Sequence, residues 1–324
     1  MSSVPFSLSG IGAALGRICL DNVACAERLG LSEDWMRRRI GIDQRFVLGE
    51  GETLLGLAAR AADAAMSRAG RSSVDAIVAT TLTDADKSST LASRIGSALG
   101  LKPCLATDLS AGHASFPAAL LSGIGLLGVG MNSVLVVSAD SLGTAAIGTE
   151  PDTALIFSDG AGAALIERDG PANYRIHAID GGVDSSRAGL FAVRARADAP
   201  DAAHRVHMRG QALFKFVVEH TVEMLSSLCE RAGRHIDDID CVVPHQSSTR
   251  MLDVIRERAG VKAERWLTNV ASIGNAGTAS IPIALAGSYD GAKALPSSLA
   301  LVSAGAGLSW LGVLMASIAT ADEA

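Results

Sequence analysis

A chain of 324 residues is long enough for one large domain or two fused ones, because single domains usually contain about 100–200 residues. Hydrophobic residues make up 48% of the sequence and charged residues 19%, a balance that excludes a disordered chain and supplies a substantial core. The formal net charge of −6 and the lack of a long basic stripe exclude a nucleic-acid-binding surface, which needs clustered Lys and Arg to neutralise phosphates.

The chain repeats one helix–strand unit. Residues 53–69 show the apolar periodicity of an amphipathic helix, and the apolar run 74–80 predicts a buried strand. The same order returns as a helix at 212–232 and a strand at 239–245, and the tripeptide Arg-Ala-Gly lies at the end of the helix both times. The repeat predicts two related halves.

Two further pairs of segments support the duplication. Residues 114–117 read Ala-Ser-Phe-Pro and residues 279–282 read Ala-Ser-Ile-Pro, while the glycine-rich segment 158–166 resembles 303–311. Continuous apolar strands such as 134–137 are typical of sheets that helices cover on both faces. We therefore predict an α/β protein of two duplicated halves, residues 1–170 and 171–324, in a five-layer α/β/α/β/α arrangement.

The remaining long segments predict a soluble, cytoplasmic protein. The apolar stretches 118–137 and 299–319 are interrupted by glycines, so they indicate helices and short strands rather than membrane spans. The polar stretch 195–209 predicts an exposed loop. The five cysteines show neither paired CxxC spacing nor metal-ligand spacing, and no signal peptide is apparent, which is typical of a reducing compartment.

Three small-residue turns are candidates for chemistry, because functional groups in α/β proteins collect at strand ends and helix N-termini. His113 lies in the turn 108–116, His245 ends the strand of the second repeat, and Asn275 lies in the glycine-rich turn 269–280. Each alone is as well explained by structure, since a histidine after a strand is usually a satisfied core residue and an Asn beside Gly is usually a turn former. Their order along the chain strengthens the functional interpretation.

Taken together, the motifs resemble those of the ketoacyl-ACP synthase III enzymes of the thiolase superfamily. The matching segments span almost the whole chain: 35–45 (Trp-Met-Arg-Arg-Arg-Ile-Gly-Ile-Asp-Gln-Arg), 157–163 (Phe-Ser-Asp-Gly-Ala-Gly-Ala), 208–215 (Met-Arg-Gly-Gln-Ala-Leu-Phe-Lys), 243–246 (Val-Pro-His-Gln), 274–275 (Gly-Asn) and 305–310 (Gly-Ala-Gly-Leu-Ser-Trp). The resemblance implies the thiolase fold and a homodimer, with the apolar helix 118–127 as the only other support for the dimer.

The resemblance also implies a substrate and residues that bind it. The substrate would be an acyl thioester of coenzyme A or of an acyl carrier protein, bound through its pantetheine arm, with no permanently bound cofactor and no metal. Trp35 and Arg39 match the residues at the coenzyme's adenine, Arg250 matches a basic residue at the tunnel mouth, and Phe214 is expected along the tunnel. The amides of residues 113 and 307 (Gly307) correspond to the oxyanion hole.

The chain departs from the family pattern at its most important residue, because His113 occupies the place of the nucleophilic cysteine. We expect a neutral imidazole there, since a helix N-terminus disfavours imidazolium. An acyl-imidazole is labile in water and would store an acyl group poorly, so the acyl-cysteine route is predicted to be closed. His245 and Asn275, which the family uses to stabilise the enolate left by malonyl decarboxylation, are both present.

Four hypotheses follow. The chain is a transferase that passes an acyl group directly from a thioester to an acceptor, in fatty-acid-like or specialised (polyketide) metabolism, with His113 or His245 as base. It is a malonyl-thioester decarboxylase, which needs only the oxyanion-stabilising pair. It is a silent subunit that pairs with an active paralogue. Or it is an engineered variant in which a cysteine was replaced by histidine.

Overall fold

The structure is a computed structural model that describes residues 4–84, 86, 88–147, 149–170, 173–195, 204–289 and 294–318. Its strands are β1 (Phe6–Leu15), β2 (Ile18–Asp21), β3 (Gln44–Val47), β4 (Ala76–Thr80), β5 (Leu105–Asp108), β6 (Ser133–Ser141), β7 (Asp159–Glu167), β8 (Asn173–Val183), β9 (Phe191–Ala195), β10 (His204–Met208), β11 (Cys241–Pro244), β12 (Ser298–Gly305) and β13 (Ser309–Ser317).

The α-helices are α1 (Asn22–Leu29), α2 (Glu33–Arg39), α3 (Leu54–Arg68), α4 (Leu91–Ala98), α5 (Ser115–Gly128), α6 (Leu142–Ala145), α7 (Pro151–Ala154), α8 (Gly210–Ala232), α9 (Thr249–Ala259), α10 (Val270–Ile273) and α11 (Ser280–Ser288). Both repeat helices end on a glycine with positive φ, Gly70 at 65° and Gly233 at 62°, a conformation that glycine adopts without strain. The predicted helices 53–69 and 212–232 are confirmed, and the predicted strands 74–80 and 239–245 contain the shorter strands β4 and β11.

Nine strands hydrogen-bond in the order β11-β12-β13-β8-β1-β7-β6-β4-β5. The order repeats, because β1, β4, β6 and β7 take the same relative places in the first half as β8, β11, β12 and β13 take in the second. The halves join where β1 pairs with β8, Phe6 opposite Tyr174 and Ser7 opposite Asn173. The predicted duplication is thus confirmed in the strand order; residues 171–172, beside the predicted domain boundary, lie outside the described residues.

Three apolar clusters stack the halves into layers. One lies between α3, α4 and the strands of the first half, and another between α8, α9 and the strands of the second half. The third contains α5 and α11 with strands from both halves, so these two helices form the central layer. The predicted five-layer arrangement follows from this stacking.

The burial of α5 corrects one expectation. Ala119, Leu120, Ile124 and Leu127 on this helix are at most 6% exposed and pack within the protomer, between the two half-sheets. The apolarity of 118–127 therefore arises from the central layer of the fold, and it provides no support for a dimer interface.

The polar stretch 195–209 is also corrected, because part of it is a strand. Residues 204–208 form β10, which pairs with β9 in an antiparallel hairpin, with Val206 opposite Val193. Val206 is 3% exposed and Phe191, at the start of β9, is 4% exposed. The burial of the Val206 and Phe191 side chains therefore outweighs the loop preference of this polar segment. Among the described residues, no helix is both long and apolar enough to cross a membrane.

Candidate active site

The turn between β5 and α5 presents His113. Gly112 has a φ of 60°, and a Cβ on it would lie 1.9 Å from the carbonyl oxygen of Ala306, so only glycine fits. The Oγ of Ser115 accepts from the amide of Ala111 at 2.9 Å and donates to the carbonyl of Gly112 at 2.6 Å. These contacts hold the backbone of the turn against the β12–β13 connection.

The hydrogen bonds of His113 define its tautomer. The amide of Ala306 donates to Nδ1 of His113, so Nδ1 carries the lone pair and the neutral ring carries its proton on Nε2. Nε2 is buried and has no hydrogen-bond partner in the described part of the chain. A Cβ on Gly305 would lie 2.5 Å from Nδ1, so glycine at 305 makes room for the imidazole. His113 is thus a neutral donor with an unused N–H.

The β12 strand and α11 hold His245 beside His113. The His245 amide donates to the carbonyl of Val302 at 2.8 Å, and its Nδ1 lies 2.7 Å from the Oγ of Ser280 at the start of α11. The imidazole rings of His113 and His245 lie 4.6 Å apart between centroids, at 45°. The Phe191 and His113 rings lie 5.0 Å apart between centroids in a T-shaped arrangement, so an aromatic side chain covers His113.

Asn275 is anchored on both sides of its backbone. Its amide donates to the carbonyl of Ile156 at 3.0 Å, and its carbonyl accepts from the amide of Ser158 at 2.8 Å. The side-chain Oδ1 accepts from the amide of Gly277 at 2.9 Å, and Nδ2 lies 3.5 Å from the carbonyl of Ser247. The side-chain amide is thereby oriented toward the loop that follows His245.

Both histidines are neutral. Burial lowers the pKa of His113 to about 4, and burial together with the neighbouring His113 lowers the pKa of His245 well below its usual value. Burial, rather than the helix terminus, is what favours the neutral imidazole at residue 113. Burial also raises the pKa of Asp140 to about 6, although hydrogen bonds from Leu82 and Thr278 favour the ionised form.

The depressed pKa of His113 predicts acid sensitivity. The unfolded chain binds a proton at this residue below about pH 6.5 and the folded chain only below about 4, so its contribution to stability is lost as the pH falls through this window. From pH 7 to pH 5 we expect this residue alone to remove about 2 kcal/mol of unfolding free energy. Urea unfolding at both pH values measures the loss, which His113→Cys abolishes.

Two comparisons serve as controls for the urea-unfolding measurement. The difference between parent and His113→Cys cancels the contribution of Asp140, whose raised pKa acts in the opposite direction. His207→Gln, which replaces an exposed histidine on β10, is the control for removing a histidine elsewhere in the chain. Equal losses in the parent and His113→Cys would contradict the prediction.

Comparison with known proteins identifies the family. Residues 107–185 match the sequence profile described as 3-oxoacyl-[acyl-carrier-protein (ACP)] synthase III, and residues 229–317 match the profile of the C-terminal part of the same proteins. A beta-ketoacyl-[acyl-carrier-protein] synthase III of Rubrobacter xylanophilus is 32% identical over 93% of this chain and 95% of its own length. The chain belongs to the 3-oxoacyl-ACP synthase III family.

Solved structures agree with that assignment. The 3-oxoacyl-(acyl carrier protein) synthase III of Pseudomonas aeruginosa PAO1 superposes with a TM-score of 0.88 at 31% identity, covering 96% of this chain and 98% of that one. The priming beta-ketosynthase of the R1128 polyketide biosynthetic pathway superposes with a TM-score of 0.87 at 26% identity, covering 96% of both. The thiolase-like fold of this family member is therefore established.

In this member of the synthase III family, two segments that carry predicted coenzyme-binding residues lie side by side. On α2, the guanidinium of Arg39 lies 5.9 Å from the centroid of the Trp35 ring. The hydroxyl of Thr249 donates to the carbonyl of Gly41, which joins the loop after α2 to the start of α9, where Arg250 is exposed. These side chains share one face of the protein.

The other predicted binding residues have different environments. Phe214 lies on α8 and packs, partly buried, against the second-half core. Gly307 has a φ of 97° and borders, with Gly112 and Trp310, a cavity of about 460 Å³. The amide of His113 donates to the carbonyl of Ala306 at 3.2 Å, so the predicted oxyanion-hole donor at 113 is already engaged in this structure.

Several residues around the site were not singled out from the sequence. Ser280 and Ala306 contact the two histidines, Phe191 covers His113, and Asp140 lies behind Asn275. The only local signal was for Asp140, a carboxylate at the end of an apolar strand. Across the described ranges, no group of three or more His, Cys, Asp and Glu side chains could hold a metal ion.

Proposed function

We propose that this synthase III relative is an acyltransferase that acts on acyl or malonyl thioesters without an acyl-cysteine intermediate. The observation that carries the proposal is the hydrogen bond from the Ala306 amide to Nδ1 of His113. It engages the only lone pair of the neutral ring, so His113 is a hydrogen-bond donor rather than a nucleophile or base. Of the two candidate bases considered from the sequence, His245 remains.

The cysteines support the same conclusion. Cys25 and Cys229 lie in the second-half core, Cys241 lies in the central cluster, and Cys104 packs partly buried against the first-half core. Burial raises the pKa of all four thiols, which disfavours the reactive thiolate. Cys19 is exposed on β2, away from the turn that carries His113. None has the environment of a catalytic nucleophile.

The first chemical step we propose is decarboxylation of a malonyl thioester. The bond between the carboxylate and the α-carbon breaks, CO2 leaves, and the electron pair moves onto the thioester oxygen as an enolate. Nε2–H of His113, the Asn275 amide and the Nε2–H tautomer of His245 are neutral donors for that oxyanion. Preorganised donors in a buried site are worth several kcal/mol of barrier reduction because they need no reorganisation.

The enolate then has two fates. It takes up a proton, which makes the protein a malonyl-thioester decarboxylase, or it attacks a second acyl thioester and expels its thiolate. For acyl transfer to a hydroxyl or amine, the tautomer of His245 that carries its proton on Nδ1 acts as the base. With Nδ1–H donated to Ser280, Nε2 accepts the proton of the acceptor as the new bond forms. The C–S bond of the thioester then breaks, and the departing thiolate takes up that proton. The cluster of neutral donors is the observation that favours the decarboxylase as second candidate.

Recognition of the thioester is proposed for the face that carries Trp35, Arg39 and Arg250, with Phe214 along the pantetheine arm. The stacked Arg39 and Trp35 suit an adenine and its phosphates.

The relatives' names place them in acyl-carrier-protein-dependent synthesis and polyketide priming, and we propose a similar pathway here. A cytoplasmic homodimer is expected, and the edge strand β5, with Leu105 45% exposed, offers it a pairing surface.

Mass spectrometry of the products after incubation with malonyl-coenzyme A tests the proposal. We expect acetyl-coenzyme A with the unmodified chain and at least about 10²-fold less with His245→Ala, because an oxyanion donor is lost. An exposed control, His207→Gln, keeps full activity. Equal product in all three samples would remove His245 from the mechanism. No product with malonyl- or acyl-coenzyme A, together with co-purification of a paralogue, would instead identify a silent subunit.

A further inference from the structure

We propose that Asp140 is a positioning residue that orients the side-chain amide of Asn275 for the reaction. Asp140 is the penultimate residue of the apolar strand β6 of the first half and is 0% exposed. Its Oδ2 accepts from the amide of Thr278 at 2.8 Å and from the Thr278 hydroxyl at 2.8 Å. No contact between Asp140 and the two histidines is needed, because it acts through the turn that follows Asn275.

The connection to Asn275 passes through Gly277. The Gly277 amide donates to Oδ1 of Asn275 at 2.9 Å. Because this bond holds Oδ1 on the side of Gly277, it also determines the direction in which Nδ2 points. Gly277 has a φ of 60°, and a Cβ on it would lie 2.4 Å from Oδ2 of Asp140, so the carboxylate lies directly against this residue. A shift of Asp140 therefore moves Gly277, and with it the bond that orients Asn275.

The other carboxylate oxygen anchors Asp140 in the first half. Oδ1 accepts from the amide of Leu82 at 2.6 Å and lies 3.3 Å from the hydroxyl of Thr81 and 3.4 Å from that of Thr83. The backbone amides of Leu82 and Thr278 donate to different oxygens of Asp140, so a carboxylate satisfies the site. A side-chain amide would turn its own N–H groups against one of these backbone N–H groups. The chain thus uses a buried anion to join the two halves at the turn beside Asn275.

A second carboxylate that bonds a neighbouring strand provides a control. The Oδ2 of Asp240 accepts from the amide and from the hydroxyl of Ser298, both at 2.9 Å, but Asp240 is exposed and precedes β11, at the opposite end of that strand from His245. Asp240→Ala removes this pair of bonds without touching the Asn275 turn. Loss of stability, measured by urea unfolding, would accompany both variants, whereas loss of positioning affects only Asp140→Asn.

The experiment measures kcat and KM for malonyl-coenzyme A decarboxylation. We expect Asp140→Asn to lower kcat about tenfold or more with KM within about twofold, since the interaction acts on the transition state. Thr278→Val, which keeps the shape but removes the hydroxyl, should lower kcat, and Thr278→Ser should restore it. Asp240→Ala should keep the parent kcat. A parent-like kcat in Asp140→Asn, or an equal fall in Asp240→Ala, would overturn the inference.

The inference rests on the proposed function, and a crystal structure of Asp140→Asn separates the two. If the parent does not decarboxylate malonyl-coenzyme A, the proposed function fails and the structure alone decides the role of Asp140. A displaced Gly277 and a rotated Asn275 side chain would support it. An unchanged turn, with Gly277 still bonded to Oδ1 of Asn275, would overturn it.

Discussion

Replacing Asn275 by alanine is expected to lower kcat for malonyl-thioester decarboxylation about 10²–10³-fold, the usual effect of removing one oxyanion donor. The side chain is 5% exposed, so its Nδ2 donor acts where water competes little. KM should change much less than kcat, because the bond strengthens as negative charge develops on the substrate oxygen. Steady-state kinetics with malonyl-coenzyme A measures both constants.

Asn275→Asp distinguishes the effect of losing the Nδ2 hydrogen-bond donor from the effect of disturbing the turn. The aspartate keeps an oxygen for the Gly277 amide, so the turn remains anchored, but it replaces the Nδ2 donor with a negative charge. We expect it to be as inactive as Asn275→Ala while remaining more stable to urea. Asn132, which is exposed in the turn before β6, supplies a control, because Asn132→Ala should leave kcat unchanged. Activity in Asn275→Asp would show that the side chain serves only to hold the turn.

Replacing His113 by cysteine is expected to create an acyl-enzyme that the parent chain does not form. The smaller side chain frees the Ala306 amide, which then donates to the thiolate, and favours the reactive form. Incubation with acetyl-coenzyme A should add the mass of one acetyl group per chain, with release of free coenzyme A. Intact-protein mass spectrometry detects the adduct, and digestion should place it on residue 113.

The control for this gain of acylation replaces a different, partly buried histidine by cysteine. His220 on α8 stacks on Phe216 at 4.0 Å, outside the His113 turn, and His220→Cys should acquire no acetyl group. The parent should also remain unlabelled, despite its five cysteines. Labelling of the parent would reopen the acyl-cysteine route, and an unlabelled His113→Cys would argue against a thioester-binding pocket at residue 113.

The local parts of the fold could be predicted because they depend on neighbours in sequence. Helix periodicity, the glycines that end the repeat helices, and continuous apolar strands are set within ten or twenty residues, and the duplication made each half a check on the other. The exception was β10, which lies within the polar stretch 195–209 and forms a strand because Val206 packs into the core.

The same distinction runs through the active site. His113, His245 and Asn275 were found from short turns read together as a family pattern, and the sequence by itself also determined that residue 113 is not a cysteine. What that histidine does was decided by tertiary structure. Its tautomer depends on an amide 193 residues away in the chain, and its neutral charge depends on burial by both halves. Asp140 acquires its partner in Thr278 across 138 residues. Hydrogen-bond direction and desolvation arise only when distant segments meet, and no local pattern encodes them.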